Sequence, residues 1–94
     1  MPITCLRISM ELVWQTIAWD DYLYLRQTDK KVLKRVNDLI KDCLQTPFYG
    51  IGKPELLKGN FAGNWSRRIT DEHRLIYTIK ENRLHVLQCR YHYD

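Results

Sequence analysis

Cysteine, glycine and histidine are all sparse in this chain, and each scarcity removes an explanation. The three cysteines, Cys5, Cys43 and Cys89, are far apart, odd in number and never in a CxxC pair. That pattern argues against a disulfide framework or a zinc site. It suits a reducing cytoplasm, with the thiols acting as small buried or half-buried hydrophobes. Four glycines are too few for a phosphate-cradling loop, and GxxxxGKS is missing. Among the three histidines none stands at metal-ligand spacing to another, and no carboxylate cluster has the spacing of a metal-dependent nuclease. No run of eighteen apolar residues and no secretory leader is visible, so nothing points to a membrane. Repeats and low-complexity stretches are absent too.

What is present fits one small folded domain. Ninety-four residues, 45% hydrophobic and 28% charged, allow a single modest core. Residues 10–94 read as that domain and residues 1–9 as an extension of uncertain origin, because Met10 looks like a second beginning. The formal charge is +4, and the excess leans toward the C-terminal half. It can attract phosphate backbones, although a plain solvated surface explains so small a charge equally well.

Glu11–Trp14 reads as a short strand. Thr16 is suited to cap a helix running to about Arg26 and burying some of Ile17, Trp19, Tyr22, Leu23 and Leu25. Thr28 and Asp29 can cap a second helix, in which Val32, Leu33, Val36, Leu39, Ile40, Cys43 and Leu44 recur at three- and four-residue steps. Pro47 ends it. Residues 48–54 form a loop with freedom at Gly50 and Gly52. Strands are expected at Trp65–Ile69, His73–Ile79 and Arg83–Tyr91, joined by short polar turns. One strand, two helices and a three-stranded antiparallel meander predict an α+β domain with the helices on one sheet face.

The last forty residues hold most of the reactive side chains. Glu55, leaving a loop stiffened by Pro54, either projects into a cleft from the sheet edge or is simply solvated. Strand alternation puts Arg74 with Ile76 and Thr78, opposite His73, Leu75, Tyr77 and Ile79. Arg74 is thus either a surface residue or a bidentate phosphate ligand. His92 near the chain end is inert if it frays, but Val86, Leu87 and Cys89 suggest a buried strand able to hold it. His73 and His85 read as structural or exposed. Arg67 and Arg68 alternate across a strand, so one can meet phosphate while the other makes a surface ion pair. Trp14, Trp19 and Trp65 read as core or partner-facing. A carboxylate, an arginine and a histidine are together enough for RNA transesterification without metal: base, charge stabiliser and acid.

Four ordered strings, AWDDYLYL at 18–25, TPFYGIGKPELLK at 46–58, NWSRRITDEHRLIY at 64–77 and CRYHY at 89–93, resemble the YoeB toxins of the RelE superfamily, from about Met10 to Tyr93. The resemblance implies a RelE-like fold and the toxin of a type II toxin–antitoxin system. It also implies a metal-independent endoribonuclease, without cofactor, that enters the ribosomal A site and cleaves mRNA. A YefM-type antitoxin would neutralise it, with operator DNA bound only through their complex and a toxin homodimer as a further option. Carried over by position, Glu55 of KPE is the general base, Arg74 of EHR stabilises the transition state, and His92 of YHY is the general acid. Tyr93, Lys53, Lys58 and Arg68 are supporting RNA contacts. Asp94 departs from relatives that end at the tyrosine, and residues 1–9 leave the natural start open.

Two rivals stand beside this reading. A non-catalytic RNA- or ribosome-binding module would arrest growth without new mRNA ends. A DNA-binding co-repressor lacks a helix-turn-helix pattern here.

Overall fold

The computed structural model describes residues 10–91. The expected extension at residues 1–9, and His92, Tyr93 and Asp94, lie outside the described residues. Strand β1 (Glu11–Trp14) leads into helices α1 (Thr16–Thr28) and α2 (Lys30–Gln45). A two-residue strand β2 (Glu55–Leu56) and a 3-10 turn (Gly59–Phe61) follow. Strands β3 (Trp65–Arg68), β4 (Arg74–Lys80) and β5 (Arg83–Gln88) complete the order. The α+β class predicted from sequence holds, with a fifth strand, β2, added at the sheet edge.

The sheet order is β1-β5-β4-β3-β2. β1 runs parallel to β5, and the other pairs are antiparallel. Between β4 and β5, Glu81 and Asn82 both adopt positive φ, 53° and 60°. That is the backbone twist a tight hairpin demands, and asparagine tolerates it well.

Asp29 caps α2 as its sequence suggests: the Val32 amide donates to Asp29 Oδ1 at 3.2 Å. α1 starts differently from expectation. Gln15, not Thr16, occupies its N-cap and makes no side-chain cap bond. The Gln15 amide instead donates to the Val86 carbonyl at 3.0 Å, so sheet pairing sets where this helix begins.

The helices lie on one face of the sheet. Ala18 and Leu25 of α1, Val36, Leu39, Ile40 and Cys43 of α2, Leu75 and Tyr77 of β4, and Leu84 and Val86 of β5 form the core. Burying each of the larger apolar side chains contributes about 1.5–3 kcal/mol. Ile17 and Trp19, by contrast, remain exposed. Among the described residues no helix is long and apolar enough to cross a membrane.

Strand β5 ends at Gln88, short of the predicted Tyr91. Cys89 turns inward, its amide donating to Asp21 Oδ2 at 3.1 Å, and Tyr91 takes a left-handed φ of 60°. An α1 carboxylate thus draws the chain out of the sheet.

Candidate active site

Sheet register assembles this site. In β2, Glu55 pairs with Ser66 of β3, and Ser66 pairs with Ile76 of β4. Directly opposed residues project to the same face, so Glu55, Ser66 and Ile76 form one row. Two residues along, Arg68 and Arg74 pair in a second row on that face. It is the face opposite the helix-covered core residues Leu75 and Tyr77. Glu55 lies two strand spacings from β4, about 10 Å. Glu55 and Arg68 are exposed and Arg74 is half-buried. Lys53 and Lys58, both exposed, flank β2.

Arg74 is bound by its own turn. Its Nη1 donates to the carbonyls of Thr70 at 2.5 Å, His73 at 3.1 Å and Asp71 at 3.3 Å. Its Nε and Nη2 have no hydrogen-bond partner among the described residues. The Arg74 amide donates to the Tyr91 carbonyl at 3.1 Å, which brings Tyr91 to the start of β4. His92 and Tyr93, read as acid and RNA contact, lie outside the described residues. Glu55, Arg68 and Arg74 therefore share one sheet face, with about 10 Å between Glu55 and β4, Lys53 and Lys58 flanking β2, and Tyr91 at the start of β4.

The residue that sequence reasoning misjudged is Arg67. Neither a phosphate ligand nor a surface ion pair, it is fully buried. All five of its N–H donors are used. Nε donates to Tyr77 Oη at 3.2 Å, and Nη1 to Asp42 Oδ2 at 2.6 Å and the Ile51 carbonyl at 3.1 Å. Nη2 donates to the carbonyls of Thr46 at 2.5 Å and Tyr49 at 2.9 Å. The Tyr77 hydroxyl in turn donates to the Pro47 carbonyl at 2.8 Å. One guanidinium thereby pins residues 46–51, the loop that delivers Lys53 and Glu55 to the sheet edge. The available signal was register: Arg67 shares its strand face with Trp65 and Ile69, where an uncompensated charge is not tolerated.

Electrostatics follow from this burial. The hydrogen bond from Arg67 holds the Asp42 carboxyl below its ordinary range, against the opposing effect of desolvation. Burial pushes the Tyr77 hydroxyl up to about 12 and the Cys89 thiol to about 12, and it raises Cys43 as well. Both buried thiols therefore stay protonated at neutral pH and are not nucleophiles. Asp21 is raised by burial, with the Cys89 amide and Arg90 acting against it. Among the described residues no three of His, Cys, Asp and Glu are grouped to hold a metal ion.

Motif strings and geometry meet in one family. The family described as "YoeB-like toxin of bacterial type II toxin-antitoxin system" matches residues 14–93. The chain belongs to that family. Toxin YoeB of Escherichia coli K12 is 56% identical to this toxin over 84 residues, covering 89% of this chain and 100% of that one. The solved YoeB/ParE toxin from Agrobacterium tumefaciens superposes with a TM-score of 0.88 at 52% identity, covering 89% and 100% of the two chains. YoeB of Staphylococcus aureus, solved in complex with YefM, has a TM-score of 0.82 at 42% identity, with 89% and 98% covered. A YoeB of Staphylococcus aureus that is 44% identical to this chain has been solved as a dimer, with a TM-score of 0.82 and 89% and 98% of the two chains covered.

Proposed function

We propose that this YoeB-like toxin is a ribosome-dependent mRNA endoribonuclease acting by 2′-OH attack without metal. The observation that supports it most directly is the shared sheet face of Glu55 and Arg74, with Tyr91 hydrogen-bonded to Arg74 and His92 the next residue. Glu55 takes the 2′-OH proton, and the 2′ oxygen attacks the adjacent phosphorus. Arg74, with its Nε and Nη2 donors toward phosphate, stabilises the charge of the phosphorane-like transition state, aided by Lys53, Lys58 and Arg68. The P–O5′ bond breaks as His92 protonates the leaving oxygen. The products are a 2′,3′-cyclic phosphate, or its 3′-phosphate hydrolysis product, and a 5′-OH fragment. Because the nucleophile belongs to ribose, DNA is spared. Tyr93 is assigned a supporting contact to RNA.

The partners proposed are mRNA in the ribosomal A site and a YefM-type antitoxin, in keeping with the S. aureus complex. Operator DNA is reached only through that complex. A homodimer is also proposed. Leu12 and Trp19, both exposed, line one groove with Trp14 and Tyr22, and the rings of Trp14, Trp19 and Tyr22 contact one another, an apolar surface that a second copy could cover.

Mapping mRNA 5′ ends after brief induction tests the assignment. Ribosome-phased cuts are expected in wild type and are lost in Glu55→Gln and His92→Gln, since acid or base removal costs about 10²–10⁴-fold. Growth arrest without new ends would overturn it in favour of simple ribosome occupancy. Cleavage of a substrate carrying 2′-deoxyribose at the scissile position would rule out the 2′-OH mechanism.

A further inference from the structure

We propose that His73 is a positioning residue of this site, whose Nδ1 latches the Tyr91 amide and so sets where the chain departs toward His92. The role rests on the ribonuclease reading above. The Tyr91 amide donates to His73 Nδ1 at 2.7 Å, a side-chain bond spanning eighteen residues. One position later, the Arg74 amide donates to the Tyr91 carbonyl at 3.1 Å. Both backbone polar groups of Tyr91 are thus held by the start of β4, the strand that carries Arg74.

Tyr91 needs such a clamp. Its φ of 60° is left-handed, a conformation that costs a tyrosine free energy unless the surroundings over-determine it. Sheet pairing has already stopped at Gln88, so no ladder supplies the constraint. The His73 and Tyr91 rings also pack, with centroids 5.2 Å apart. Because an amide only donates, Nδ1 is the bare acceptor nitrogen and the proton of the neutral ring is on Nε2. That nitrogen lies 3.6 Å from Glu72 Oε1, which favours this tautomer. The EHR string thereby serves two purposes on consecutive residues: His73 anchors the tail, and Arg74 serves the phosphate.

The test uses the full chain and two substitutions with opposite acceptor chemistry. His73→Phe keeps a ring against Tyr91 and removes the acceptor. His73→Asn keeps an acceptor oxygen close to the place of Nδ1. Ribosome-dependent cleavage rates are measured with hydrogen exchange at the Tyr91 amide and thermal unfolding by circular dichroism. H73F is expected to fold, to exchange the Tyr91 amide faster, and to lose kcat about 10- to 100-fold with KM little changed, the scale of a small misplacement of a reacting group. H73N is expected to recover most of the lost kcat. If H73F does not fold, His73→Leu, matched in shape to asparagine, replaces it against H73N. An H73F enzyme as fast as wild type, or an H73N enzyme as slow as the variant without an acceptor, overturns the role. If wild type itself leaves RNA intact, the ribonuclease reading falls and takes this role with it. If wild type cleaves and H73F matches it, only the role of His73 falls.

Discussion

Replacing Arg67 with methionine should destabilise the fold by about 3–5 kcal/mol, the range for a buried ion pair that loses one partner. The side chain is fully buried and saturates all five donors, so no water substitutes for a lost contact from within the site. Asp42 would keep a charge with no counter-ion, and the carbonyls of Thr46, Tyr49 and Ile51 would lose their donor. Two features hold the figure inside that range. Asp42 retains 31% side-chain exposure, and the surface loop can turn its carbonyls toward solvent. A domain of this size is typically stable by about 5–15 kcal/mol, so the loss is a large fraction of the total. Urea unfolding followed by circular dichroism measures it, with an unchanged m-value confirming that the same surface unfolds. Arg67→Lys should recover little, because three rotating ammonium donors cannot replace a planar fork of five. Asp42→Asn combined with Arg67→Met should be non-additive by more than about 0.5 kcal/mol. A loss below about 1 kcal/mol for Arg67→Met, or strict additivity in the double mutant, would refute the assignment of Arg67 as the anchor of the loop.

Other expectations follow from the same geometry. Gly50→Ala should destabilise by about 1–3 kcal/mol, because φ is +123° there and a Cβ would collide with Asp42 Oδ2; an unchanged melting temperature would contradict this. The depressed Asp42 carboxyl contributes stability above the ordinary carboxylate value of about 3.9, and the contribution disappears as pH falls through the lower folded value. Urea midpoints between about pH 2 and 6 should therefore drop less steeply in Asp42→Asn than in wild type. Tyr77, raised from 10.0 to about 12, acts in the opposite sense: its stabilisation is complete below pH 10 and disappears as pH rises toward 12. One tyrosine should consequently ionise late in a 295 nm titration, and Tyr77→Phe should remove it. Iodoacetamide at pH 7 should leave Cys43 and Cys89 unmodified in the native protein, and rapid alkylation of either, read by mass spectrometry, would show that the core opens more easily than its packing implies.

Local pattern carries far in some places and fails abruptly in others. The spacing of Val36, Leu39, Ile40 and Cys43 specified α2, and Asp29 specified its start, because a helix cap is satisfied within three residues. The meander was equally readable, since its strands are joined by turns whose chemistry is local. The motif strings that carry the toxin resemblance, with Glu55 and Arg74 among them, were legible for the same reason: their spacing is written along the chain. β2 was not legible. Two residues have no period, and Glu55 and Leu56 are extended only because β3 offers them a free edge. The end of β5 was likewise hidden, being set by an Asp21 carboxylate sixty-eight residues away in sequence.

Arg67 and His73 mark the boundary most sharply. From neighbouring residues, one looks like a basic surface position and the other like a structural or exposed histidine. Their roles depend on which groups from distant segments arrive beside them: Asp42, Tyr77 and three loop carbonyls for the first, and the Tyr91 amide for the second. Residue type and periodicity record what each side chain offers. Whether an offered hydrogen bond is taken, and by which partner, is decided when the sheet edge, the α2 terminus and the chain end are packed together and water is excluded, since a buried donor must then find an acceptor nearby.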